Sequence, residues 1–153
     1  MRANGLLLSA ITAFVALPGT VAFVVPLLIA PPGGPQRPWQ WVGLVLVAVG
    51  SALLLRCVRD FYVAGKGTLA PWSPPLRLVS VGLYRRSRNP MYVAVTIVLL
   101  GWTVWFAATT LLLYTGAVLA AFHLRVLFYE EPRLAASFGE DWADYRRRVP
   151  RWL

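Results

Sequence analysis

Residues 91–129 are almost entirely apolar, broken only by isolated hydroxyl groups, His123 and, near the end, Arg125. A bilayer core takes roughly 20 helical residues at about 1.5 Å each. The run is therefore too long for one crossing and right for two. It predicts a helical hairpin with a tight turn near Trp105 to Thr109 and both polar ends on one side.

The rest of the chain follows the same constraint. Residues 6–29 form a second apolar stretch, in which Pro18 and Pro26 kink or shorten a helix. It exceeds the ~7–15 residues of a signal-peptide core and has little positive charge before it, so it reads as a first span. Pro31-Pro32-Gly33-Gly34-Pro35 breaks the chain, and a second span covers about residues 41–55. The expectation is one all-α, polytopic membrane domain over 1–153. Two N-terminal spans lie in 1–60, and a polar loop, the hairpin and a tail in 61–153. Composition agrees: 58% of residues are hydrophobic and 14% charged, against ~45–50% and ~25% in soluble domains.

The net charge of +9 would suit a nucleic-acid partner, but the charges cluster beside the apolar runs, which sets that partner aside. Arg37 is the one basic residue of the first loop. The middle loop holds Arg56, Arg59, Lys66, Arg77, Arg85, Arg86 and Arg88, and the tail Arg125, Arg133, Arg146, Arg147, Arg148 and Arg151. This asymmetry puts the middle loop and both termini in the cytoplasm. Trp39, Trp41, Trp102 and Trp105 then form an outer aromatic belt. The single cysteine, Cys57, excludes an intrachain disulfide and a cysteine-rich metal site, and its position allows palmitoylation.

Residues 56–92 read as a polar loop, since no helix runs through Pro71, Pro74 and Pro75. It ends in Gly82-Leu83-Tyr84-Arg85-Arg86-Ser87-Arg88-Asn89-Pro90-Met91-Tyr92. Asn89 suits an N-cap and Pro90 the first helical position. The free N–H groups of that helix, beside Arg88, form a site for a carboxylate or phosphate. The alternative is a plain interfacial anchor, with the arginines on lipid head groups.

Glu130 and Glu131 stand at the cytoplasmic end of the last span, where carboxylates are costly unless paired or functional. The helix is expected to end or bend at Glu131, before Pro132. Gly139 caps a short following helix, and residues 141–149 form an amphipathic one with Trp142 and Tyr145 on one face. Helical spacing places Gly116, Ala120, His123, Leu127 and Glu130 on one stripe, whose small residues admit a neighbouring helix. Asn89, Tyr92, Thr96 and Thr103 share a face of the third span, which sets Arg88 and Asn89 opposite Glu130. His123 reads as a hydrogen-bonded interior residue ahead of a catalytic one, and Thr96 and Thr103 as bonding back to their own helix. Arg125 either snorkels to head groups or holds an anionic substrate group. There is no mid-span carboxylate, GxGxxG, phosphate loop, Ser-His-Asp arrangement or His/Cys cluster.

Taken in order, the motifs carry a resemblance. Gly82-x-Tyr84, Arg88-Asn89-Pro90-x-Tyr92, Glu130-Glu131-x-x-Leu134, Phe138-Gly139-Glu140-x-Trp142-x-x-Tyr145 and Val149-Pro150 resemble the isoprenylcysteine carboxyl methyltransferases, which are similar to the phospholipid methyltransferases. Gly65-Lys66-Gly67-Thr68, Pro71 and Pro74-Pro75 are similar to the bacterial members. The resemblance implies an integral membrane enzyme, in a bacterial inner membrane, that transfers a methyl group from S-adenosylmethionine to a lipophilic, small-headed acceptor. It implies a cytoplasmic cofactor pocket formed by Leu76, Arg77, Leu78, Val79, Tyr84, Asn89, Pro90, Met91, Tyr92 and Glu130; the charges of Arg88 and Glu131 add them to that pocket, and Arg125, toward the acceptor, is the catalytic candidate. Two departures leave the acceptor open: prenylcysteine enzymes usually carry histidine at the Asn89 position, and Arg125 is out of register with their arginine. Sterol reductases, which use NADPH, resemble the same C-terminal pattern but have more spans and lack the glutamate pair. A non-catalytic binding protein is the third reading.

Overall fold

The computed structural model describes residues 15–65 and 77–153, and every regular element among them is helical. A π-helical stretch, Val15–Val24, runs into α1 (Val25–Ile29). A 3-10 turn (Pro38–Gln40) leads to α2 (Trp41–Gly65), and a second (Gly82–Arg85) precedes α3 (Pro90–Phe106). Next come α4 (Thr109–Arg125), a π turn (Val126–Glu130) and α5 (Glu131–Arg148).

The fold is built on the antiparallel pair α2 and α3, which touch backbone to backbone at three glycines. A Cβ on Gly43 would lie 2.5 Å from the Gly101 carbonyl oxygen, and one on Gly101 2.7 Å from that of Gly43. A Cβ on Gly50 would lie 2.8 Å from the Val98 nitrogen. Val47, Leu54, Ala94, Val95, Val98 and Leu99 fill the seam. The expected small-residue stripe on the last span is not the one used: Gly116 is exposed, with nothing within 4 Å of an added Cβ.

The hairpin turns where expected, at Ala107, which takes a left-handed conformation (φ 48°). Thr96 and Thr103 bond back to the carbonyls of Tyr92 and Leu99 at 2.8 and 2.9 Å, as expected. At this end Gln40 is buried. Its Oε1 accepts from the Gln36 and Arg37 amides and its Nε2 donates to the Trp105 carbonyl. The Trp41 ring meets Trp105 edge-on at 5.0 Å. Trp102 Nε1 donates to the Ala22 carbonyl, tying the N-terminal stretch to α3.

Three expectations are corrected. The second apolar helix does not stop at Leu55 but continues to Gly65. Leu54, Cys57 and Asp60, three residues apart, keep a buried face, with Cys57 against Val79 and Tyr84. Cys57 is fully buried, so it is closed to palmitoylation. The helix does not end at Glu131, whose backbone is α-helical (φ −62°, ψ −44°). The π turn just before it leads directly into a helix that accepts Pro132 in its first turn, where a missing N–H costs little. The break comes at Gly139 (φ 48°, ψ −117°), which folds Trp142 and Tyr145 back into a cluster with Val149, Leu78, Leu134 and Phe138.

Among the described residues, two helices are long and apolar enough to cross a membrane, Pro38–Phe61 and Thr109–Arg148, and two apolar helices are shorter, Pro18–Ile29 and Pro90–Phe106. Their outer faces expose Val42, Val45, Leu112 and Leu113, the inverse of a soluble helix.

Candidate functional site

The site lies where α3 begins, α4 passes into α5 and the tail crosses over. Gly82 opens it. Its φ of +56° favours glycine, and a Cβ there would stand 2.1 Å from Asp60 Oδ2, a buried oxygen without a hydrogen-bond partner. This explains the glycine of Gly82-x-Tyr84. The turn that follows buries Tyr84, whose carbonyl accepts from Tyr145 Oη at 2.7 Å and whose ring meets Phe61 edge-on at 5.4 Å. Burial, reinforced by Cys57, Tyr145 and Asp60, pushes the Tyr84 hydroxyl well above its ordinary pKa, so it stays protonated.

Arg77, Leu78, Val79, Tyr84 and Arg88 line an apolar slot of about 60 Å³, closed by Phe61 from α2 and by Leu134, Phe138, Trp142 and Tyr145 from α5. Five residues picked from the sequence therefore meet in one place. Leu76 lies outside the described residues, as does most of the Gly65-to-Pro75 segment. Pro90 is buried at the start of α3, and Met91 packs between the α2–α3 seam and the Tyr84 cluster.

Asn89 occupies the N-cap position but makes no side-chain cap. Its Nδ2 donates instead to the Arg151 carbonyl at 3.0 Å, and its own N–H donates to Ser87 Oγ. The Arg88 amide donates to the Pro150 carbonyl at 2.9 Å. The motif is thus stitched to the tail through two bonds to tail carbonyls, and the Asn89 amide is spent there and not on a cap.

The two glutamates have separate partners. Arg88 does not face Glu130, as the stripes predicted, but Glu131: its Nη1 stands 2.9 Å from Glu131 Oε1, with side chains 8% and 11% exposed. Arg151 clasps the same carboxylate through both oxygens, at 2.7 and 3.0 Å. Arg88 lies over the Trp142 ring at 5.4 Å. Its contact with Glu131 is a charge contact without hydrogen-bond alignment, and Nε and Nη1 have no acceptor. Burial draws the Arg88 guanidinium below its ordinary pKa, against the pull of Glu131. The hydrogen bond to Glu131 raises that of Arg151. Glu130 is more open. Its Oε1 accepts a very short hydrogen bond from Tyr92 Oη and one from Arg125 Nε at 2.8 Å. Tyr92 stacks on Phe122 at 4.3 Å, and Arg125, half exposed, lies over Tyr129.

His123 is not interior. It is exposed and stacks on Trp152 at 6.0 Å. The π turn inserts extra arc between it and Glu130, so the stripe drawn at 3.6 residues per turn loses register. Arg151 was legible only as one more charge of the tail; the surplus of arginines around two carboxylates was the signal available.

The family model for phospholipid methyltransferase matches residues 39–141. A protein of Haemophilus influenzae described as uncharacterized is 29% identical over 63 residues, 41% of this chain and all of that one. No solved structure matches.

Proposed function

This chain belongs to the phospholipid methyltransferase family, and on that premise we propose that it is an integral membrane methyltransferase using S-adenosylmethionine at the cytoplasmic face. The observation that carries the reading is the division of labour between the glutamates. Glu131 is enclosed by two arginines, while Glu130, the more exposed of the two, pairs with Tyr92 and Arg125.

The donor set suits the cofactor. Arg88 offers buried N–H groups without an acceptor, matched to a ligand carboxylate, and Glu130 accepts from an ammonium or from ribose hydroxyls. Leu78, Val79 and Tyr84 offer apolar walls to the adenine, and Arg77 extends them. Ligand pockets run to roughly 300–1,000 Å³, so the 60 Å³ slot holds part of a nucleoside and its walls part on binding. When bound, S-adenosylmethionine supplies an electrophilic methyl group. The chain's own residues bind, orient and exclude water, and a deprotonated acceptor needs no strong base.

The acceptor is lipophilic and small-headed, a carboxylate, thiol or amine. Apolar outer faces leave it a lateral route from lipid, and Arg125, half exposed and paired with Glu130, can meet its head. The arginine asymmetry supports four spans in a bacterial inner membrane with both termini cytoplasmic.

Thermal shift in detergent with S-adenosylmethionine and with NADPH, followed by labelled-methyl transfer to membrane lipid extract and to small soluble thiols, tests the reading. Stabilisation by S-adenosylmethionine and label in the lipid fraction are expected. Stabilisation by NADPH alone would refute the methyltransferase, and label confined to soluble thiols would refute the lipophilic acceptor.

A further inference from the structure

Two arginines share one carboxylate, and one of them, Arg88, lines the slot. Arg88 and Arg151 carry two positive charges and Glu131 one negative, so a net cation is left in a mostly buried cluster. The carboxylate is spent on one side: Arg151 Nε and Nη2 take Oε1 and Oε2, the fork geometry in which arginine binds most specifically. Arg88 is left with Nε and Nη1 unaccepted, under Trp142, and lines the slot where Arg151 does not. The start of α3, two residues on, adds the positive end of a helix dipole. A net positive charge in a mostly buried cluster is costly unless a further anion completes it. Without Arg151, Glu131 would balance Arg88 alone, one charge against one, and the cluster would carry no net charge.

We infer that Arg151 is a positioning residue that sets ligand charge: by clasping Glu131 it leaves the cluster at Arg88 net positive toward an anion in the slot, and so selects a nucleoside that carries a carboxylate. The inference rests on the methyl-donor reading above. The tail is fixed for this role, since the Arg151 carbonyl accepts from Asn89 Nδ2 and the Pro150 carbonyl from the Arg88 amide. The arginine that clasps and the arginine that reads are thereby held in register.

The test compares S-adenosylmethionine with its decarboxylated form, which keeps the nucleoside, sulfonium and ammonium and lacks only the carboxylate. Both are titrated calorimetrically into the full chain in detergent. The natural protein prefers the carboxylate form. Arg151→Gln lowers that preference about tenfold or more, the worth of a charged hydrogen bond, and leaves affinity for the decarboxylated form nearly unchanged. Equal weakening for both ligands means a merely structural tail and overturns the inference, as does an unchanged preference. If Arg151→Gln does not purify, Arg151→Lys serves: it keeps the charge but cannot clasp both oxygens, and an unaltered preference there is likewise fatal. Failure of the natural protein to bind either ligand rejects the methyl-donor reading itself, whereas binding with no change of preference rejects only the role of Arg151.

Discussion

Glu130→Gln and Glu131→Gln differ by one position in sequence and are expected to fail in different ways. Glu131→Gln removes the only carboxylate between Arg88 and Arg151, whose side chains are 8% and 29% exposed. Breaking a buried ion pair costs about 3–5 kcal/mol. Arg151 can turn to water, so the lower end applies, about 3 kcal/mol. At about 2–4 °C per kcal/mol for a chain of this size, the midpoint of thermal unfolding falls by roughly 6–12 °C. Glu130→Gln leaves an amide oxygen for Tyr92 and loses only the half-exposed Arg125 pair. Such a pair is worth under about 1 kcal/mol, so that midpoint moves by roughly 4 °C at most. The order reverses for ligand. Glu130→Gln weakens S-adenosylmethionine binding, while folded Glu131→Gln protein keeps Arg88 uncompensated and retains it. Differential scanning fluorimetry and titration on the same samples read both. Equal unfolding shifts, or equal losses of affinity, would refute the separation of roles.

Gly82→Ala is expected to cost about 2–3 kcal/mol, from the left-handed backbone and the Asp60 carboxylate in the space its methyl would take. Adding Asp60→Ala should recover the steric part and leave about 1 kcal/mol, measured by chemical unfolding in detergent. Gly101→Val should abolish the folded α2–α3 pair, because its Cβ meets the Gly43 backbone, whereas Gly116→Ala should gain up to about 1 kcal/mol of helix propensity in open space; folded yield and unfolding midpoint decide. A reporter fused after Leu153 should score as cytoplasmic, and a periplasmic signal there would contradict the arginine asymmetry.

The apolar hairpin was legible because its length alone forces a turn, and Ala107 supplies it in the predicted window. Part of the slot's lining was within reach of the sequence, because Leu78, Val79, Tyr84 and Arg88, all singled out there, line it together. Partner choice was not legible, and the reason is geometric. A stripe argument extrapolates one helical period, and the π turn at Val126–Glu130 changes that period just where the glutamates leave the hairpin. Glu130 consequently meets Tyr92 and Arg125, and Glu131 meets Arg88. Nor does sequence spacing say that Asn89 will spend its amide on a carbonyl 62 residues away. That bond depends on the chain reversal at Gly139 and the burial of Trp142 and Tyr145, which return the tail to the start of α3. The same reversal delivers Arg151 to Glu131. The charge left over at Arg88 is thus a product of tertiary folding, set by how two arginines and a single carboxylate are brought together.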